Sequence, residues 1–279
     1  MSATVYRHFT RAALDAAYNN RDAVPASGRL REERAARSLE TYARWKVARD
    51  LRYGPAPRQR LDLFHARRPG RPTLAYIHGG YWQSNDKEPN AFVAEGPLAL
   101  DLNVAVIEYT LAPQARIGQI VAEIGAALDW LLPRLSGEFS AGPRLLVCGH
   151  SAGGHLAATG ALRPGVAAAL PISGLFDLEP IRLCYLNDLM HMDESEASAN
   201  SPIKHSLPQI PVSVAVGAAE LPELVRQSRE FHAALRQSGN PGRELLLPGE
   251  DHFSILEHLA RPEGVLAQEA LRLAESPAG

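Results

Sequence analysis

From Leu61 onward, short runs of aliphatic and β-branched residues alternate with segments whose apolar residues recur every three or four positions. TLAYIHGG (73–80) and NVAVIEYT (103–110) read as buried strands, the first ending in glycines. Between Arg116 and Leu132, Ile117, Ile120, Val121, Ile124, Ala127, Leu128 and Leu131 recur at helical spacing, which predicts an amphipathic helix. RLLVCGHSAGG (144–154) predicts a strand, a sharp turn and a helix through Ala161. Further strands are predicted at VAAALPIS (166–173), VSVAVG (212–217) and ELLLPG (244–249), with helices over 222–237, 253–260 and 264–274. In RLDLFHA (60–66), Leu61 and Leu63 alternate with polar neighbours, which predicts an antiparallel edge strand. Continuous apolar strands need cover on both faces, so the fold class is α/β: a mostly parallel central sheet with helices on both sides. The first 50 or so residues differ, being rich in Arg, Ala and Glu with two helical patterns. They predict a helical extension, either packed on the flank or lying as a partial cap over a pocket.

Composition narrows the functional classes. With 279 residues, 46% apolar, the chain can bury a substantial core, and one domain over 1–279 is expected. A net charge of −2 argues against a disordered chain and against a general nucleic-acid binder. The N-terminal stretch MSATVYRHFTRAALDAAY places arginines where a secretory apolar region would lie, and no apolar run is long enough to span a bilayer. A soluble, cytoplasmic protein with no membrane partner is expected. Two cysteines, Cys148 and Cys184, can frame neither a disulfide network nor a multi-cysteine zinc site. His191, Asp193 and Glu194 read as a polar loop, so neither a metal nor a cofactor is expected.

Gly149-His150-Ser151-Ala152-Gly153 is a G-x-S-x-G between a hydrophobic strand and a small-residue helix. That context suits a nucleophile elbow, where a strained turn exposes the serine and the helix N-terminus favours developing negative charge. His78-Gly79-Gly80-Tyr81-Trp82 follows the strand TLAYI and suits an oxyanion loop. Gly80 and Tyr81 are assigned as N–H donors together with Ala152, Gly79 shapes the turn, and His78 holds the loop. In the α/β-hydrolase fold the chain order is serine, acid, histidine. Of ten histidines, His252 follows the last clear strand and opens a helix; His150 and His155 lie too near Ser151 to approach from the required side. His8, His65, His191, His205, His232 and His258 fall outside a loop after a late strand. Glu220, after VSVAVG and before Pro222, is the favoured acid, with Asp177 and Glu223 as alternatives and Asp251 awkwardly adjacent to the histidine.

At these residues the chain resembles the kynurenine formamidase (arylformamidase) and small carboxylesterase group of α/β hydrolases. HGGYW (78–82), GHSAGGHLA (149–157), GLFDLEPI (174–181), the segment 217–223 and DHFSIL (251–256) carry the resemblance. YNNR (18–21) and the stretch 53–64 extend it over nearly the whole chain. The resemblance gives Ser151, Glu220 and His252 the triad positions, although aspartate is the commoner acid there. It implies hydrolysis of small aryl formamides or of short-acyl esters and amides. A carboxylesterase or amidase of a different small-molecule pathway is the alternative, and a catalytically silent binding protein a more distant one. Tyr81, Trp82, Tyr185 and Asn187 are expected to crowd a pocket for a small acyl group. Tyr18, Asn19 and Asn20, the Y-N-N stretch, are expected to fold back and wall it. The expected partner is thus a small-molecule substrate, with a homodimer left open.

Overall fold

The computed structural model describes residues 3–135 and 144–276. Among the described residues ten strands form: β1 (Thr4–Tyr6), β2 (Phe9–Thr10), β3 (Val47–Arg52), β4 (Arg60–Phe64), β5 (Thr73–Ile77), β6 (Asn103–Ile107), β7 (Leu145–His150), β8 (Val166–Ile172), β9 (Val214–Gly217) and β10 (Glu244–Leu247). The last eight make one sheet in the order β10-β9-β8-β7-β5-β6-β4-β3, and β1 pairs with β2 apart from it. From β10 to β6 neighbouring strands run parallel; β4 is antiparallel to β6, and β3 to β4.

Every residue of β5, β6 and β7 is buried, as their unbroken apolar runs require. Successive side chains point to opposite faces, and two cores result. Ala75, Ile77, Ala105, Ile107 and Val147 pack against helices Ile117–Leu135 and Ala152–Gly160. Leu74, Tyr76, Val104, Val106, Leu146 and Cys148 share the other core with Leu98, Leu259, Leu266 and Leu273. Both faces of the sheet are therefore covered.

The topology selects where a ligand can enter. The connection leaving β5 leads to β6 on one side of it, while the one leaving β7 leads to β8 on the other. Between neighbours whose connections diverge, the C-terminal strand ends leave a crevice, the usual ligand site of open α/β sheets. The loops after β5 and β7 are the His78-Gly79-Gly80 and Gly149–Gly153 segments.

Two sequence expectations need correction. The 60–66 run is antiparallel but not at the edge, because β3 pairs outside it. The helical reading of the first 50 or so residues also runs too far: helix Ser27–Arg44 stops at extended Trp45, and β3 follows. In β3 the alternation is hidden by a bulge between Ala48 and Leu51, with Asp50 at φ 54°. Arg49, Asp50 and Arg52 make this a charged, irregular edge, poorly suited to pairing with another chain.

Candidate active site

The turn after β7 carries Ser151 at φ 57° and ψ −120°, a left-handed conformation that costs a non-glycine residue on the order of 1–3 kcal/mol. Two backbone bonds hold it there: Ser151 N–H donates to Ile172 O at 2.8 Å, and Ser151 O accepts from His155 N–H at 3.1 Å. The flanking glycines are sterically required. A Cβ on Gly149 would collide with the carbonyl of Gly153, and one on Gly153 with the carbonyl of Ile77.

One turn on, His155 is fully buried, with Nε2 at 2.7 Å from Asn200 O. Burial pushes its pKa down to about 4, so the ring is neutral and donates from Nε2. In the unfolded chain a histidine takes up its proton near ~6.5. Stability is therefore full above that pH and falls as the pH drops towards 4, by on the order of 3 kcal/mol from this group. Urea midpoints at pH 7.5 and pH 5 should differ less in His155→Gln than in the parent. An unchanged difference would remove His155 from the account.

The loop after β5 packs directly against this turn. A Cβ on Gly79 would lie 2.8 Å from His150 O and 3.0 Å from Ser151 Cβ. Gly80, Tyr81 and Trp82 all have positive φ, 116°, 51° and 58°, and Gln83 and Ser84 N–H close the turn on Gly80 O. Among the described residues, no acceptor takes the N–H groups of Gly79 through Trp82, nor that of Ala152 at the start of its helix. A concentration of free donors beside one hydroxyl is a ready site for an oxyanion.

His78 is buried under this loop as a brace. Its Nε2 lies 3.0 Å from Glu108 Oε1, its ring stacks on Tyr109 at 4.5 Å, and Tyr109 Oη donates to His78 O at 3.0 Å. Glu108 also accepts from Arg58 Nη2 at 2.6 Å and Lys87 N–H at 2.9 Å. Burial alone would raise the Glu108 pKa, but His78 and Arg58 hold it below the usual carboxylate range. Sequence reading missed Glu108 and Arg58. The available signal is a carboxylate directly after an apolar strand that neighbours the one ending at His78.

Glu220 lies in the loop after β9 and His252 in the loop after β10, at the same sheet end as Ser151. His252 Nδ1 is 2.6 Å from Glu220 Oε2, with the glutamate side chain fully buried. Glu220 Oε1 accepts from Ser173 Oγ at 2.5 Å and Gly217 N–H at 2.8 Å, fixing the carboxylate. With Nδ1–H given to Glu220, Nε2 of a neutral His252 is left as an acceptor. His150 ties the His252 loop to the Ser151 turn: its Nε2–H donates to His252 O at 2.8 Å and the two rings are 4.6 Å apart. Arg34, on helix Ser27–Arg44, donates to Phe253 O and pairs with Glu257.

The other carboxylates are engaged elsewhere. Asp177 accepts from Tyr6 Oη and Glu179 N–H, Glu223 pairs with Arg226, and Asp251 caps Phe253 and Ser254 N–H. His258 meets Glu250 at 3.0 Å and His232 lies 3.7 Å from Glu244.

The remaining candidates divide. Tyr18 and Trp82 are fully buried, Trp82 standing edge-on to His155 at 5.1 Å. Asn19 caps its own short helix, accepting from Asp22 N–H. Asn187 spends both ends of its amide on the backbone of Met192, while Gln83 Nε2 donates to Leu186 O and brings the Tyr185 segment beside the oxyanion-type loop. Asn20, the last residue of the Y-N-N stretch, is the side chain that reaches Tyr81 Oη, at 2.9 Å. A cavity of about 410 Å³ against helix Ala152–Gly160, bordered by Gly118, Thr159, Asn200 and His205, contains none of Ser151, Glu220 or His252. Among the described residues, no three His, Cys, Asp or Glu side chains gather as a metal would need, and no helix is long and apolar enough to cross a membrane. Both cysteines are free and buried.

A family profile for the alpha/beta hydrolase fold matches residues 74–205. Kynurenine formamidase of Danio rerio is 30% identical over 240 residues, covering 80% of both chains, and that of Drosophila melanogaster is 30% identical over 231, covering 75% of this chain and 76% of the other. Esterase LipQ of Mycobacterium tuberculosis is 28% identical over 68% of this chain and 53% of its own. Among solved structures, a thioesterase candidate from Silicibacter sp. superposes with a TM-score of 0.83 at 28% identity, covering 91% of this chain and 97% of that one. A Pyrobaculum calidifontis esterase, at 19% identity, shares the fold with a TM-score of 0.71 over 90% of this chain and 94% of its own. On identity, coverage and fold together, the chain belongs to the kynurenine formamidase family of α/β hydrolases.

Proposed function

We propose that this serine hydrolase cleaves small aryl formamides or short-acyl esters and amides through Ser151, His252 and Glu220. The observation that carries the reading is the 2.6 Å bond between His252 Nδ1 and a Glu220 carboxylate fixed by Ser173 and Gly217, joined through His150 to the strained Ser151 turn. In this mechanism Ser151 Oγ attacks the carbonyl carbon while His252 Nε2 takes its proton. Glu220 orients the ring and stabilises the imidazolium. The N–H groups of Gly80, Tyr81 and Ala152 receive the oxyanion, with Gly79 leaving room for it. His252 then protonates the departing amine or alkoxide, and water repeats the sequence on the acyl-enzyme. Tyr18 and Trp82 build the wall from behind, and Tyr185 borders the mouth. Two free, buried thiols fit a reducing compartment, and we place the enzyme in the cytoplasm.

The formamidase reading follows the 30% relatives, and the esterase reading follows Esterase LipQ. A kinetic screen of N-formylkynurenine, aryl acetates and aryl amides separates them. Formyl and acetyl substrates should turn over, with rates falling as the acyl chain lengthens. Equal rates on long-chain esters would contradict the small acyl pocket. No turnover on any of them, with no labelling by a fluorophosphonate, would favour a silent binding protein.

Gly80→Ala tests the oxyanion loop. The added Cβ would run into Ser84 O, at a φ of 116° that an L residue rarely adopts, so the loop must move. Loss of one aligned donor costs about 10²–10³ in kcat. Steady-state kinetics should show that loss with native circular dichroism; a rate within threefold of the parent would exclude the loop from the oxyanion site.

A further inference from the structure

We infer that Asn20 is a positioning residue for catalysis, acting through the Tyr81 phenol to hold the oxyanion loop in shape. The inference rests on the reading that Tyr81 N–H is an oxyanion donor. Tyr81 and Trp82 are consecutive non-glycine residues with left-handed backbones, at 51° and 58°, a conformation each disfavours by about 1–2 kcal/mol. Something must hold such a loop open, and its own closing bonds reach only as far as Gln83 and Ser84.

From outside the loop, Ala112 N–H donates to Trp82 O at 2.7 Å and Gln83 Nε2 to Leu186 O, but at Tyr81 itself the tether is the side chain. Its Oη donates to Tyr18 O at 2.7 Å and accepts from Asn20 Nδ2 at 2.9 Å, so the phenol is fixed from both sides by a segment some sixty residues earlier. That segment is itself anchored. Tyr18 Oη donates to Glu223 Oε2 at 3.2 Å and accepts from Gln227 Nε2 at 2.8 Å, both on helix Pro222–Gln237, which starts two residues after Glu220. Gln227 Oε1 in turn accepts from Phe176 and Asp177 N–H. A continuous set of hydrogen bonds thus runs from the oxyanion loop to the helix behind the acid.

The ordinary explanation for an Asn at a helix start is capping, but here Asn19 is the cap. Asn20 is 4% exposed, and its Oδ1 has no partner among the described residues. Burying an unsatisfied amide oxygen destabilises the fold. Among the described residues the one bond this side chain makes is to Tyr81, so its contribution is to where that phenol sits.

The test is a double-mutant cycle on Asn20→Ala and Tyr81→Phe, with a competitive aryl boronic acid as the transition-state mimic and an aryl alcohol as a ground-state ligand. Each single variant should lose about tenfold or more in kcat with KM within twofold. Boronate affinity should fall by the same factor, and aryl alcohol affinity should hold. The double variant should be no slower than Tyr81→Phe alone, because both changes act through one phenol. Independent, multiplying losses, a rise in KM at constant kcat, or boronate affinity unmoved in both variants would overturn the inference while leaving the serine mechanism standing. A parent protein that binds no boronate and forms no serine adduct would overturn that mechanism and the inference with it.

Discussion

Ser151→Ala should lower kcat by on the order of 10⁶, leaving only what binding and the free backbone donors supply. The size follows from the role: without Oγ there is no acyl-enzyme, and His252 has no proton to take. The fold should not pay for the change. Ser151 is 4% exposed, and among the described residues its hydrogen bonds are made by its backbone, to Ile172 and His155, which alanine keeps. Alanine at φ 57° is strained to a degree similar to serine, so the melting temperature should move little. Stopped assays at high enzyme concentration, with circular dichroism as the control, measure this. A rate within tenfold of the parent would end the serine mechanism.

Glu220→Gln should cost on the order of 10⁴, less than the loss of the nucleophile. The amide keeps the shape but removes the charge that stabilises the imidazolium. Its Nε2 can also turn towards His252 Nδ1, forcing the ring into the tautomer with Nε2 protonated and unable to accept from Ser151. In that orientation the remaining oxygen still accepts from both Ser173 Oγ and Gly217 N–H, as Oε1 of the carboxylate does, so the amide is held in the unproductive pose. Asp177→Asn, by contrast, loosens contacts to Tyr6 and Lys204 at the periphery and should stay within tenfold of the parent. If Asp177→Asn proves the more damaging, the acid has been assigned to the wrong loop.

Much of the architecture was legible in the chain because its determinants are local. Uninterrupted apolar strands between helices specify a covered parallel sheet, and G-x-S-x-G between strand and helix marks the turn that Gly149 and Gly153 are needed to form. Glu220, the acid proposed here, is the one chain order favours, and it is the carboxylate that meets His252 Nδ1. What escaped was non-local. The edge strand β3 hides its alternation behind a bulge and a left-handed Asp50. Asp62 reads as a solvent-facing residue between Leu61 and Leu63, yet it is fully buried because Lys87 Nζ, Tyr42 Oη and Asp50 N–H, brought by three other segments, satisfy it. The brace of His78, Glu108 and Arg58, and the choice of Asn20 over Asn19 as the residue that meets Tyr81, depend on tertiary contacts that no spacing rule encodes.

In the proposed mechanism one hydroxyl, Ser151 Oγ, is the nucleophile. Intact-mass and peptide mass spectrometry after treatment with a fluorophosphonate test it most directly. One phosphonyl group per chain should appear, on the peptide containing Ser151, and Ser151→Ala should stay unmodified under the same conditions. An adduct on any other residue, or an active enzyme that carries none, would contradict the account.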